Sequence, residues 1–483
     1  MTKTHCNKVG WQACPKCKGF GKKRQKVRKS VRLKYQKVLE SFQQSNDGSL
    51  SPPPQPKGNF VACPHCKGSG LIKADQFLKP DTKNYPNIAI IGAGIGGVAL
   101  AVACKHRGIP FTLYEKDTSF DARAQGYGLT LQQASRAIHS FGITDLKDGI
   151  VSTRHVVHNP AGEILGEWGM RKWLNKDNEK KHKHTNIHIA RQALRLALLD
   201  QLGSEIDVQW NHQLINYSET NHQANLTFEV DGKIKTTIAD FVVGADGIRS
   251  TVRNKIIGET ITPLQYLNCM VVLGICKLKD LKEIENPLLD TATVFQTANG
   301  HDRIYMMPYD SESIMWQLSF PIPQEEAIRL NKAGAKTLKA NALHRLYDWH
   351  TPIPQILEAS PEKLISGYPV YDRPILKQEY LKNSQLATII GDAAHPMSPF
   401  KGQGANQALL DALSLARTIV KECNPYSNWR EKGIRKSVLA SFEKEMIERT
   451  SPKVKDSSEA ARFLHSEIAL YRADEPRGRC LKR

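Results

Sequence analysis

The first 80 residues are almost without acid: three Asp or Glu stand against 17 Lys or Arg. That lack excludes an ordinary charge-balanced domain at this end of the chain. Residues 81–483 carry 51 basic and 45 acidic side chains and are near neutral, so most of the formal net charge of +20 belongs to an N-terminal appendage. Cysteine is scarce as well. Ten in 483 residues do not make a disulfide scaffold. Four sit in two C-x-x-C pairs and six are scattered, which fits a reducing compartment. Long apolar runs are also wanting. The first thirty residues are basic and lack the apolar core of a signal peptide. One uncharged stretch, IAIIGAGIGGVALAVAC at 88–104, has nearly the length of a membrane span, but its glycines fall in a pattern that suits a soluble fold. These absences predict a soluble cytoplasmic protein with no membrane span.

What is present is enough for two or three domains with real cores: 483 residues, 40% of them apolar. Residues 1–80 read as a separate module. The motif CPKCKGFG (14–21) returns as CPHCKGSG (63–70). Between the two copies, Val27, Val31, Tyr35, Val38 and Phe42 recur at helical spacing, and SNDGSLSPPPQPKG follows as a linker or extended loop. From Asn87 the texture changes. Strands and helices alternate through 239–253, residues 260–365 hold strand-like, aromatic-containing pieces, and KSVLASFEKEMIERT and SEAARFLHSEIALYR read as two helical segments before a loose tail. The expected division is 1–80, a discontinuous α/β domain over 86–260 and 366–425, a sheet-based domain over 261–365, and C-terminal helices over 430–475.

Three motifs carry chemistry in the α/β part. The first is Gly92-x-Gly94-x-x-Gly97, which follows a strand and opens a helix. Gly92 makes the tight turn, Gly94 admits a pyrophosphate to the backbone, and Gly97 allows close helix–strand packing. The helix N-terminus offers free N–H groups and a positive dipole end. Glu115 ends the next strand, where a carboxylate holds ribose hydroxyls. This motif does not separate NAD from FAD. The second is GADGIRSTVR (244–253), with Asp246 at a strand end. The third is GDAAHPMSPFKGQGAN (391–406), sixteen residues with three glycines and two prolines between a strand and a helix. Glycine there lets a backbone bend or be approached closely, and proline holds a turn.

The order G-x-G-x-x-G, D-G, G-D resembles the class A flavoprotein monooxygenases, the group of para-hydroxybenzoate hydroxylase and the tetracycline-inactivating monooxygenases. The resemblance covers roughly residues 86–425. It implies a Rossmann-like α/β FAD-binding domain with a sheet-based substrate domain. It also implies a residue-by-residue site: Asp392 on the ribityl chain, Pro399 and the Gly402, Gly404, Ala405 and Asn406 backbone along the flavin ring, and Asp246 near the pyrophosphate. Arg123 would line the flavin and nicotinamide region, and Arg191 would contact FAD from a helix start. The helix beginning near Ala405 would aim its N–H groups at the flavin's pyrimidine edge, where charge collects on reduction. Lys401 is unexpected for the family; it tunes the flavin, meets an anionic substrate, or faces solvent.

Cys14, Cys17, Cys63 and Cys66 read as a four-thiolate zinc site, each pair followed by Lys-Gly. The form C-x-x-C-x-G-x-G is similar to the cysteine-rich repeats of J-domain chaperones. Residues 22–37, taken as a basic helix, hold nine Lys or Arg and no acid. Such a run binds nucleic-acid phosphates, docks on an acidic protein, or is simply a solvated face. His182, His184 and His188 look like loop and strand-start residues, not a metal site.

By the resemblance, NAD(P)H reduces FAD, O2 reacts with it, and a flavin hydroperoxide hydroxylates a small aromatic substrate. The cofactor does the chemistry, so no catalytic acid or base is assigned. Rivals share the fold. A halogenase carries W-x-W-x-I-P, whereas MWQLSFPIP here offers Trp316 and no second tryptophan. A reductase would consume no oxygen. A redox sensor would make the zinc module its working end.

Overall fold

The structure, a computed structural model, describes residues 10–44, 52–76, 78–122, 126–170, 186–204, 208–220, 222–281 and 284–480. The chain divides into two compact units, Met1–Lys79 and Pro80–Arg483.

The first unit is built from two short antiparallel ladders. Gly10–Ala13 pairs with Leu71–Ala74, and Lys22–Arg24 pairs with Phe60–Ala62. Each C-x-x-C pair turns the chain from one ladder to the other. The core consists of the four cysteines with Ile72 packed against them, and Leu71 is also buried. The basic run is not one helix. Lys22–Arg24 is a strand, the ladder continues as the Gln25 N–H donates to the Asn59 carbonyl, and the helix spans Lys29–Gln44. Pairing with a strand 36 residues away overrides the local helical periodicity. No described side chain of that helix is buried.

In the second unit the parallel sheet runs, in spatial order, Ala387–Ile389, Phe241–Gly244, Ile88–Ile91 and Phe111–Tyr114. The inner strands are buried throughout, as parallel strands covered on both faces must be. The suspected membrane stretch is therefore a core strand, a turn and the helix Ile95–Lys105. No described helix is long and apolar enough to cross a membrane. Ile95–Lys105 packs against the helix Gly404–Glu422. A Cβ on Gly96 would lie 3.4 Å from the Ala408 Cβ, so the helices that open the first and third motifs touch closely.

A seven-stranded sheet forms the second layer: Ile164–Trp168, Arg154–His158, Thr293–Ala298, Arg303–Asp310, Ser313–Pro321, Gln265–Lys277 and Ser366–Asp372. It is wider than 261–365, because Thr293–Ala298 accepts Arg154–His158 as a parallel neighbour and Gln265–Lys277 accepts Ser366–Asp372. Side-chain alternation gives the sheet two characters. Ile304, Met306, Ile314, Trp316 and Leu318 enter an apolar core shared with Leu338, Ala342 and Ile356 from the helices of 334–359. Arg303, Tyr305, Met307, Met315 and Gln317 line a cavity on the other face. Trp316 thus points away from the cavity; its indole N–H donates to Ser360 Oγ at 2.8 Å, and its ring fills the space above Gly274.

The two C-terminal helical segments are one helix, Ala440–Phe463, running through Pro452. The tail is not loose as far as it is described. Arg477 is buried and donates to the Ala469 and Ala473 carbonyls.

Candidate active site

Gly92 and Gly94 shape the first glycine turn. Gly92 has φ +102°, a conformation that disfavours any side chain, and a Cβ there would meet the Ala245 carbonyl oxygen at 2.6 Å and the Asp246 Cα at 2.9 Å. The first two motifs are therefore in backbone contact. Gly97 is closer still: its Cβ would stand 1.8 Å from the Gly92 carbonyl oxygen. Gly94 caps the helix, and the nearest group to its missing Cβ is the Arg191 guanidinium at 3.8 Å. Arg191 opens the helix Arg191–Leu202, and its charge lies over the Tyr127 ring. An arginine, a glycine turn and a helix N-terminus converge on one spot, which is the donor set an anionic pyrophosphate requires.

Glu115 ends its strand beside this turn. One carboxylate oxygen accepts the Ala93 N–H at 2.7 Å and the other the Asp117 N–H at 3.1 Å. Asp246 accepts the N–H groups of Thr251 and Val252 and so caps the helix Thr251–Ile257; burial raises its pKa. Arg123 lies outside the described residues, as do His182 and His184. His188 is a buried strand residue hydrogen-bonded to Thr130 Oγ1 at 3.1 Å, and burial pushes its pKa down to about 3.

The third motif is held from three sides. Asp411, fully buried, accepts the Gly391 N–H at 2.8 Å, His395 Nε2 at 2.7 Å and an Arg449 guanidinium N–H at 2.9 Å. Burial alone would raise the Asp411 carboxyl, but His395 and Arg449 hold it below the ordinary range. Arg253, also buried, donates to the Ala393 and Ala394 carbonyls at 2.7 and 3.0 Å and thereby ties the second motif to the third. Asp392 opens onto the cleft. The protein behind it raises its pKa, opposed by His395 and Arg191. Gly404 starts the long helix, and its Cβ would lie 3.4 Å from Asp392 Oδ1.

Gly402 adopts φ +58° and, with Pro399, lines the cavity of about 150 Å³. The Asn406 side chain does not face that cavity. Its oxygen accepts the N–H groups of Gln132 and Ala134, and its nitrogen donates to the Thr130 and Gly402 carbonyls, both at 2.8 Å. Asn406 is a clamp between the two loops; Ala405, beside it, is half-buried. Lys401 sends its ammonium over the Phe463 ring at 4.9 Å, so its charge turns toward the C-terminal helix.

The glycine cradle, the arginine and the exposed Asp392 suit a long dinucleotide with a flat ring at its end. Residues 85–425 match the FAD binding domain family. The chain belongs to that family. It is a class A flavin monooxygenase, and it binds FAD. The monooxygenase is 26% identical over 432 residues to a probable FAD-dependent monooxygenase of Arthroderma benhamiae, an alignment covering 82% of this chain and 95% of that one. It is 25% identical over 342 residues to the 6-hydroxynicotinate 3-monooxygenase of Bordetella bronchiseptica, covering 69% and 82%. In fold it is similar to Klebsiella pneumoniae HpxO solved with FAD and uric acid: TM-score 0.65, 19% identity, 79% of this chain and 88% of that chain.

Replacing Asp392 with alanine should weaken FAD retention by the value of a hydrogen bond to a charged group, about 1.5–3 kcal/mol, or roughly tenfold to a hundredfold in affinity. Fluorescence titration of apoprotein with FAD measures this, and an unchanged Kd removes Asp392 from the site.

The first unit presents a second candidate site. The sulfurs of Cys14, Cys17, Cys63 and Cys66 all lie within 4.8 Å of one another. The two halves are built alike. The Cys14 N–H donates to the Gly70 carbonyl and the Cys63 N–H to the Gly21 carbonyl, both at 2.8 Å. The Gly21 N–H donates to Cys17 Sγ and the Gly70 N–H to Cys66 Sγ, both at 3.2 Å. Burial and the neighbouring Cys66 and Cys14 push the Cys17 thiol up to about 12. Cys63, which burial would also raise, is brought to about 7 by the backbone N–H groups of Cys66 and His65.

Proposed function

We propose that this monooxygenase uses NAD(P)H and O2 to hydroxylate a small planar substrate bearing an ionised, or strongly electron-rich, oxygen. Arg303 carries that reading. Its side chain lines the cavity, is 5% exposed, and has no carboxylate partner among the described residues. Two of its N–H groups go to Gln296 Oε1, at 3.0 and 2.6 Å. Burial lowers its pKa to about 10, so it stays charged. A buried cation without a counter-ion is costly, and an anionic ligand relieves that cost.

Bound FAD would be held by the Gly92–Gly97 turn, Arg191, Asp392 and the Gly402–Ala405 backbone, with Glu115 toward the ribose, and it supplies the oxygen-activating chemistry. The chain's own residues supply position and polarity. Met307 and Met315 form an apolar wall that excludes water. Thr130, Tyr305, Gln132 and Gln317 offer hydrogen bonds around the ring edge. Arg303 would assist ring activation by stabilising an ionised substrate oxygen.

Arg303→Met should lower kcat/KM for an ionised aromatic by about 2–5 kcal/mol, thirtyfold or more, the range for removing one partner of a buried charge pair. Substrate-stimulated NAD(P)H oxidation measures it across a panel of ionised and neutral rings. Neutral rings should lose little, and equal turnover of an ionised ring by both forms would remove Arg303 from recognition.

The four cysteines are the ligands of one structural zinc ion. With Zn–S near 2.3 Å, tetrahedral sulfurs stand about 3.8 Å apart. The Cys17–Cys66 separation of 3.7 Å matches.

A further inference from the structure

The N-terminal unit carries a surface that the flavin chemistry does not use. Its described residues include 15 Lys or Arg and only two acids, Glu40 and Asp75. Every one of those cations except half-buried Lys23 is exposed. None forms an ion pair among the described residues. A surface of this kind repels itself and is neutralised by a polyanion.

Charge alone leaves the polyanion open; the ribbon of Lys22–Arg24 and Phe60–Ala62 narrows it. Arg24 stands opposite Phe60, and its guanidinium lies 4.6 Å from the ring centroid. Phe60 is 61% exposed and Phe20, at the ribbon's entry, 38%. The ribbon alternates, so Lys22 shares a face with Arg24 and Phe60. An acidic protein face needs the cations but gains nothing specific from exposed phenyl rings among them. An unpaired nucleic-acid strand uses both, because every base has a π-face to stack and every nucleotide a phosphate to neutralise.

We propose that this unit binds single-stranded nucleic acid, with bases stacked at Phe60 and Phe20 and phosphates drawn to Lys22, Arg24 and the cations of the following helix. The surface acts independently of the substrate cavity.

The test uses the full chain, a fluorescein-labelled 20-nucleotide oligo(U) or oligo(dT), and anisotropy over a salt series. Affinity should fall linearly on a log–log plot, with a slope of about −0.7 per phosphate contacted. Phe60→Ala should weaken binding about five- to 150-fold at fixed salt, the range for losing one base–aromatic stack. Phe60→Tyr, which keeps the ring, should bind like the parent, which separates lost stacking from misfolding. The proposal is overturned if the parent chain shows no binding at low salt. It is also overturned if polyglutamate of equal charge competes as well as oligonucleotide while Phe60→Ala binds unchanged, since the surface is then a dock for acidic protein.

Discussion

Gly92→Ala is expected to abolish FAD retention. The residue sits at φ +102°, which costs a side-chain-bearing residue about 1–3 kcal/mol. Its Cβ would also press on backbone, the Ala245 oxygen at 2.6 Å and the Asp246 Cα at 2.9 Å, and backbone cannot rotate away. Overpacking of this kind adds about 1–3 kcal/mol. The sum falls where the first and second motifs meet, so relief requires parting the strands Ile88–Ile91 and Phe241–Gly244 that carry them. Gly258→Ala is the matched control: φ is +84°, and nothing lies within 4 Å of the added carbon. It should lose stability from strain alone and keep its flavin. Flavin absorbance after gel filtration, with Tm for both variants, decides the matter. A yellow Gly92→Ala protein would mean that the two motifs yield to each other more easily than close packing allows.

Chelation should unfold residues 10–76 while flavin stays bound. The core of that unit is four cysteines, Leu71 and Ile72, far too little apolar surface to offset the ordering of more than sixty residues. Structural zinc contributes about 10–16 kcal/mol at such sites, and that energy becomes folding energy because the site does not exist in the unfolded chain. Treating the whole protein with EDTA should therefore release one zinc per chain and expose four thiols to a thiol reagent, with the flavin spectrum unchanged. Anaerobically purified protein without zinc by elemental analysis would refute the metal. Loss of flavin on chelation would show that the first unit supports the second.

The glycine motifs were legible because their chemistry is done by backbone, and only glycine leaves backbone so bare. The spacing and flanking periodicity predict the tight turn at Gly92–Gly97 and a bent loop at Gly402 and Gly404, and the repeat pairs the four cysteines that the structure brings together. Asn406 and Arg253 were not legible in their working roles. Each bonds a segment remote in sequence, Asn406 to 130–134 and Arg253 to 393–394, and no local pattern announces such a partner. Arg303 was missed for a related reason. Its proposed role depends on which face of a strand it occupies, and that follows from a register set by Ser313–Pro321 and Thr293–Ala298. The alternation in RIYMMP held a usable signal, a cation sharing one face with Tyr305 and Met307. The basic run misled because its first residues obey a ladder partner and not their own helical spacing.

The edge strand Ala387–Ile389 joins the parallel sheet beside Phe241–Gly244 only after five of the seven strands of the other sheet have intervened in the chain. During synthesis, Gly92 leaves the ribosome roughly 300 residues before Gly391 does, a wait of about 15–60 s at ~5–20 residues per second. Through that interval the nascent chain has one wall of its cofactor cleft and not the other. The early glycine turn cannot hold a nucleotide productively until the late loop arrives and Asp411 and Arg253 fasten it. Cofactor loading is thus expected late in biosynthesis, after both loops have emerged.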